Sequence, residues 1–276
     1  MSALSPLMIA VAPNGARKTK AEHSVIPITP AELASTAEHC LQAGACMIHL
    51  HVRDKDQKHS LDPLLYKEAI NEIRSRVGDS LIIQITTEAV GLYRPDEQIE
   101  VVKAVKPEAV SIALREFCPD EPHEKEAAKF FQWMSRENIA PQYILYDLDD
   151  LDQFKAFRQR GLIPGDRHTI LLVLGRYTKN QQSDVDDLEP LLNAMPDKCN
   201  WWLCAFGKTE SLCMQRVIEL GGNCRVGFEN NLHLPDGEIA PNNASLVEVI
   251  NNNSKKLNRS IASADQARDL MYFTQF

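Results

Sequence analysis

At 276 residues, 44% hydrophobic and 25% charged, the chain is long enough for one sizeable core, and its net charge of -8 excludes a surface built for nucleic acid. Seven scattered cysteines without a C-x-x-C pair exclude a disulfide framework or a cysteine-built zinc site, and they point to reduced thiols in a cytoplasmic protein. No apolar run approaches the ~20 residues of a spanning helix, and MSALSPLMIAVAP has no basic segment before its apolar stretch, so neither anchor nor leader is expected.

The first strand candidate, residues 8–14, runs into PNGARKTK, a turn with a basic cluster at Arg17, Lys18 and Lys20. TPAELASTAEHCLQAG then reads as a helix: Thr29 caps it, Pro30 opens it, Glu32 completes a capping box and Gly44 closes it. The second strand, residues 46–53, is followed by the helix PLLYKEAINEIRSRVG; the third, 81–87, by RPDEQIEVVKAV; the fourth, 109–115, by EKEAAKFFQWMSREN. Strands at 142–147, 168–175, 200–207 and 224–230 precede DLDQFKAFRQRG, DVDDLEPLLNAM, KTESLCMQRVIELGG and ASLVEVINNNSKKL, and a short helix at 264–271 ends the chain. Eight alternating units in ~250 residues, without a G-x-G-x-x-G first turn, predict a closed (β/α)8 TIM barrel rather than an open doubly wound sheet. With no Pro/Gly/Ser linker, residues 1–276 are expected to form one domain.

Strand two carries the chemistry. In MIHLHVRD, alternation places His49, His51 and Arg53 on the inward face, with Leu50 and Val52 toward the helices, near the strand end where this fold keeps its active site. An H-x-H pair alone is often a polar filler. Two imidazoles serve a catalytic metal only with a further ligand, and CRVGFENN on strand eight supplies Glu229 on the same inward parity as Arg225. In a closed barrel, strands two and eight both flank strand one. The donor set suits Zn²⁺ ahead of Fe²⁺ or Mn²⁺. The other histidines, His23, His39, His59, His123, His168 and His233, read as surface or loop residues. Other strand ends supply Asn14, Thr86, Thr87, Glu88, Ser111, Arg115, Glu116, Tyr146 and Asp147. For a phosphate, the candidates are Lys208 in the Gly207-Lys208-Thr209 opening of a helix, and Arg17 and Lys18 after strand one.

APNGA, IPITPAELA, AGACMIHLHVRD, RVGFENNL and NRSIASADQAR together resemble the β-keto acid cleavage enzymes, typified by 3-keto-5-aminohexanoate cleavage enzyme, across nearly the whole chain. The resemblance implies a zinc-dependent barrel that exchanges acyl groups between a β-keto acid and acetyl-CoA, giving acetoacetate and a new acyl-CoA. It implies His49, His51 and Glu229 as zinc ligands, Arg225 as an active-site arginine, hydroxyls such as Thr87 and Ser111 near the oxyanions, and a homo-oligomer, a tetramer. Three departures stand out. The family's Asp base after the glutamate is Asn230 here, its serine at the end of strand three is Thr87, and strand five offers Gln142 and Ile144 where a carboxylate is expected. Glu88 is therefore the candidate base. The other readings are a metal-dependent aldolase or lyase that needs no CoA, and a catalytically silent barrel that binds a metal and a metabolite.

Overall fold

The computed structural model describes residues 4–271. Eight parallel strands close into a barrel: β1 (Ile9–Val11), β2 (Met47–Leu50), β5 (Ile82–Thr86), β6 (Ala109–Ala113), β7 (Ala140–Leu145), β8 (His168–Leu174), β9 (Cys199–Ala205) and β10 (Asn223–Val226). The remaining strands, β3 (Val52–Arg53) and β4 (His59–Ser60), form a small antiparallel hairpin after β2. β1 pairs with β10 on one side and β2 on the other, so the two ends of the chain meet at one seam. The principal helices, α1 (Pro30–Ala43), α2 (Pro63–Val77), α3 (Pro95–Val105), α5 (Glu121–Arg136), α6 (Leu148–Gln159), α7 (Leu188–Ala194), α8 (Glu210–Glu219) and α9 (Asn243–Lys256), follow the strands in turn. A one-turn α4 (Leu114–Phe117) caps β6, and α10 (Ala264–Leu270) ends the described chain.

Strand alternation divides the core into two layers. Ile9, Val11, Ile48, Leu50, Ile83, Ile85, Val110, Ile112, Leu172 and Leu203 point outward and pack with the helices. Ala10, Met47, Ile82, Ala109, Leu171, Trp202 and Cys204 fill the barrel itself. Ala264, Ala267 and Met271 join this inner group, and the Thr169 hydroxyl and Asn200 amide, near the starts of β8 and β9, donate to the carbonyls of Met271 and Leu270. α10 thus plugs the N-terminal end of the barrel, leaving the opposite end as its mouth.

The caps of α1 form as expected: Thr29 Oγ accepts from Glu32 N–H, and Glu32 returns the bond to Thr29 N–H. Strand two is shorter than alternation predicts. Pairing with β5 stops at Leu50, and the backbone turns away to pair Val52 with Ser60 and Arg53 with His59. Arg53 therefore does not face the barrel interior. Its guanidinium donates to the carbonyls of Gly15, Lys18 and Gln57, tying the loop after β1 in place. Arg115 likewise lies in α4 rather than in a strand, and pairs with Asp147 and Asp150 at 2.5 and 2.8 Å. Among the described residues no helix is long and apolar enough to cross a membrane.

Candidate active site

His49 and His51, from β2 and the residue after it, meet Glu229, from the turn after β10, across the short β1. The two Nε2 atoms lie 3.2 Å apart, and Glu229 Oε2 is 3.8 Å from His49 Nε2 and 3.5 Å from His51 Nε2. Ligand atoms on a tetrahedral zinc with bonds of about 2.0–2.1 Å are separated by about 3.3 Å. The triangle has that scale. His49 Nδ1 is 2.8 Å from Gln84 Oε1, which fixes its proton there and leaves a lone pair on Nε2. His51 Nδ1 faces Glu88 Oε2 at 4.0 Å. Burial, reinforced by Arg225, holds the His49 pKa well below its usual value, so its ring is neutral. Burial also raises the Glu229 pKa, but Arg225, His51 and His49 outweigh it and keep the carboxyl ionised. Glu229 Oε2 is buried without a hydrogen-bond donor. A neutral His49 and an ionised Glu229 carboxylate, set with His51 around one point, fit a divalent cation and leave a position for a further ligand.

The turn that carries Glu229 depends on glycine. Gly227 has φ 136°, and a Cβ there would lie 2.4 Å from the Ala12 carbonyl oxygen. Gly15 lets the β1 loop cross Glu229, since its Cβ would meet Glu229 Cγ at 2.6 Å. Beneath the turn, the buried Glu210 accepts from Asn231 Nδ2 at 3.1 Å and from the N–H of Gly227. Burial pushes its carboxyl up to about 8, opposed by those two donors and by the Lys18 ammonium nearby. The unfolded chain releases this proton near pH 4.3, whereas the native state holds it to about pH 8, so native stability falls as pH rises through that window, by on the order of 5 kcal/mol. Glu210→Gln has no proton to lose. Its urea midpoint should lie close to that of the parent near pH 5 and rise above it by pH 7.5; parallel pH profiles would show that the native carboxyl is already ionised.

Arg225 Nη2 lies 3.5 Å from Glu229 Oε1 and from Cys204 Sγ, while its Nε and Nη1 are buried without acceptors. Asn230 is buried with both side-chain polar atoms unpartnered, and the Ser111 hydroxyl is buried and free. Glu88 faces the same mouth: its Oε1 accepts from Arg17 at 2.7 Å and from Arg176 at 3.2 Å, and burial raises its pKa. The Thr87 hydroxyl donates to the Ser111 carbonyl at 2.8 Å and so is engaged by the backbone. The expected basic cluster after β1 is split. Arg17 pairs with Glu88, Lys18 Nζ donates to the Glu229 carbonyl at 2.6 Å, and Lys20 pairs with Glu32. Lys208 is exposed, but the backbone N–H groups expected to cradle an anion are taken: Gly207 donates to the Asn230 carbonyl and Lys208 to Gln182 Oε1. Asn14 is a brace, donating to the carbonyls of Pro27 and His51.

Several residues were not anticipated. Gln84 orients His49 and donates in turn to Gln142 Oε1 at 3.2 Å, so the position lacking the expected carboxylate ends a polar chain to the first histidine. The signal was present as one polar residue within LIIQIT. His59 and His168 are buried strand residues rather than the surface or loop residues expected. His59 Nε2 bonds the Glu88 carbonyl and its ring centroid is 5.3 Å from that of His51; His168 packs against Phe154.

A sequence profile of the family described as beta-keto acid cleavage enzyme matches residues 6–273. The chain is 29% identical to a 3-keto-5-aminohexanoate cleavage enzyme of Fusobacterium nucleatum subsp. nucleatum, covering 97% of this chain and 98% of the relative. It is 28% identical to a 3-oxoadipate:acetyl-CoA acetyltransferase of Cupriavidus necator, over 96% and 94%. Among solved structures, a ternary complex of ObcA with a C4-CoA adduct and oxalate superposes with a TM-score of 0.73 at 18% identity, covering 90% of this chain and 67% of that one, a likeness of fold.

Proposed function

The chain belongs to the beta-keto acid cleavage enzyme family, and from that premise we propose that it transfers acyl groups between a β-keto acid and acetyl-CoA, using a zinc ion on His49, His51 and Glu229. The observation that carries the reading is that acceptor triangle, set beside the unsatisfied Arg225 guanidinium at the barrel mouth. Relatives named for acetyl-CoA transfer support the co-substrate. A zinc ion there would polarise the ketone and carboxylate oxygens of the keto acid. Arg225 offers its free N–H groups to those oxygens, and Ser111 and Asn230 offer uncharged hydrogen bonds close by. Glu88 takes the C2 proton through Oε2, since Oε1 is held by two arginines. The C2 carbon then attacks the acetyl thioester and the CoA thiolate leaves. That thiolate attacks the original ketone carbon, the C2–C3 bond of the donor breaks, C2 takes the proton back from Glu88, and acetoacetate departs. One keto acid and one acetyl-CoA give one acetoacetate and one new acyl-CoA, so carbon, charge and thiol balance.

The exposed Lys208, with Arg17 and Lys18 at the mouth, supplies positive charge for the CoA phosphates. The same reading takes the chain as one domain in a homotetramer in the cytoplasm. The test is a panel of β-keto acids incubated with and without acetyl-CoA. Acetoacetate and a matching acyl-CoA should appear together and only with acetyl-CoA. Cleavage without it would make the protein a lyase, and ligand-induced stabilisation without any turnover would make it a silent binding barrel.

A further inference from the structure

Beyond the cation triangle, the mouth holds a charged group that takes no part in the bond changes of the acyl exchange. Arg176 follows β8 directly after Gly175, and its guanidinium carbon lies 5.3 Å from the Phe206 ring centroid, so packing holds the fork in place. Its side chain is 14% exposed. Nη2 reaches Glu88 Oε1 at 3.2 Å, and the same oxygen receives Arg17 Nη1 at 2.7 Å. Two guanidinium groups thus share one oxygen of one carboxylate. Glu229, the other acid lining this small cavity of about 50 Å³, is turned toward His49, His51 and Arg225. The two guanidiniums carry one positive charge more than the carboxylate they share, on a residue with further donors in its fork.

We infer that Arg176 is a specificity-determining clamp for a second carboxylate at the far end of the substrate, which makes the substrate class 3-oxo dicarboxylic acids. This rests on the β-keto acid reading above. A neutral chain end would enter the cavity without meeting the surplus charge, and an ammonium end would be placed beside two guanidiniums whose one counter-charge is already shared. A carboxylate end accepts from the fork and balances the charge. A hydrogen bond to a charged group contributes about 1.5–3 kcal/mol, roughly 10–100-fold in binding.

The experiment is calorimetric titration of the zinc-loaded protein, without acetyl-CoA so that no turnover occurs, with 3-oxoadipate, 3-oxohexanoate and 3-keto-5-aminohexanoate. The dicarboxylate should bind roughly 10–100-fold more tightly than the neutral acid of equal length. Arg176→Met should bring that ratio close to one, with Arg176→Lys between the two because it keeps charge but not the fork. Thermal midpoints of both variants confirm that they are folded. Equal affinities for dicarboxylate and neutral acid in the parent, a preference for the amine, or an unchanged ratio in Arg176→Met would each overturn the clamp while leaving the acyl exchange standing. Failure of all three acids to bind would remove the β-keto acid reading, and the clamp with it.

Discussion

Purified without added metal, the protein is expected to carry about one zinc ion per chain, and the Glu229→Ala variant little or none. The expectation follows from the triangle of edges 3.2, 3.5 and 3.8 Å, and from an oxygen, Glu229 Oε2, that is buried yet receives no donor. Removing the carboxylate takes away one of three protein ligands and the negative charge that balances Arg225 beside them. The loss in affinity should exceed the roughly 10–100-fold that removal of a ligand's hydrogen-bonding neighbour costs. Elemental analysis of both proteins, with circular dichroism to confirm folding, measures it. Finding no transition metal in either, and none taken up on reconstitution, would reduce the histidines to barrel filler and remove the main physical support for catalysis.

Glu88→Gln should retain the metal and lose turnover by roughly 10²–10⁴-fold, the scale of a general base. The residue after Glu229 is Asn230, whose amide takes up no proton near neutral pH, and Gln142 fills the barrel where another acid was expected. Glu88 is the acid that faces the mouth with one oxygen still free of a short hydrogen bond. Its raised pKa, caused first by burial and then by Glu229, makes it a better proton acceptor than an exposed carboxylate. Steady-state rates with a saturating keto acid and acetyl-CoA decide the matter. A metal-replete Glu88→Gln enzyme working at the parent rate would show that the proton leaves by another route.

The barrel and its ligands were legible because both rest on strict periodicity. Strand alternation assigned Leu50 and His49 to opposite faces, and closure of eight strands forced β2 and β10 to share β1 as neighbour, which brought Glu229 to the histidines. Capping chemistry fixed α1 from Thr29 to Gly44 because those residues act locally. What alternation misjudged was where pairing ends. Nothing in HLHVRD marks the point at which β2 leaves β5, so Arg53 was assigned inward although it holds the loop after β1. His59 and Glu210 were missed for a related reason: in DQKHS and GKTES each looks like an ordinary loop or first-turn residue, and only contacts from distant segments bury them. The sharing of Glu88 between Arg17 and Arg176 joins three separate loops, a juxtaposition no local pattern encodes.

The seam at β1 also dictates when the site can exist during folding. His49 and His51 lie near the start of the chain and Glu229 near its end, with most of the barrel's strands between them. A nascent or partly folded chain holds at most the two imidazoles, so the full donor set appears only when the last strand docks against the first. Metal affinity is thereby earned at ring closure, and any binding energy falls on the completed barrel rather than on open intermediates. An ion at this position would act as a clasp between the two halves of the chain, opposing the unzipping of the one junction where the beginning of the polypeptide meets its end.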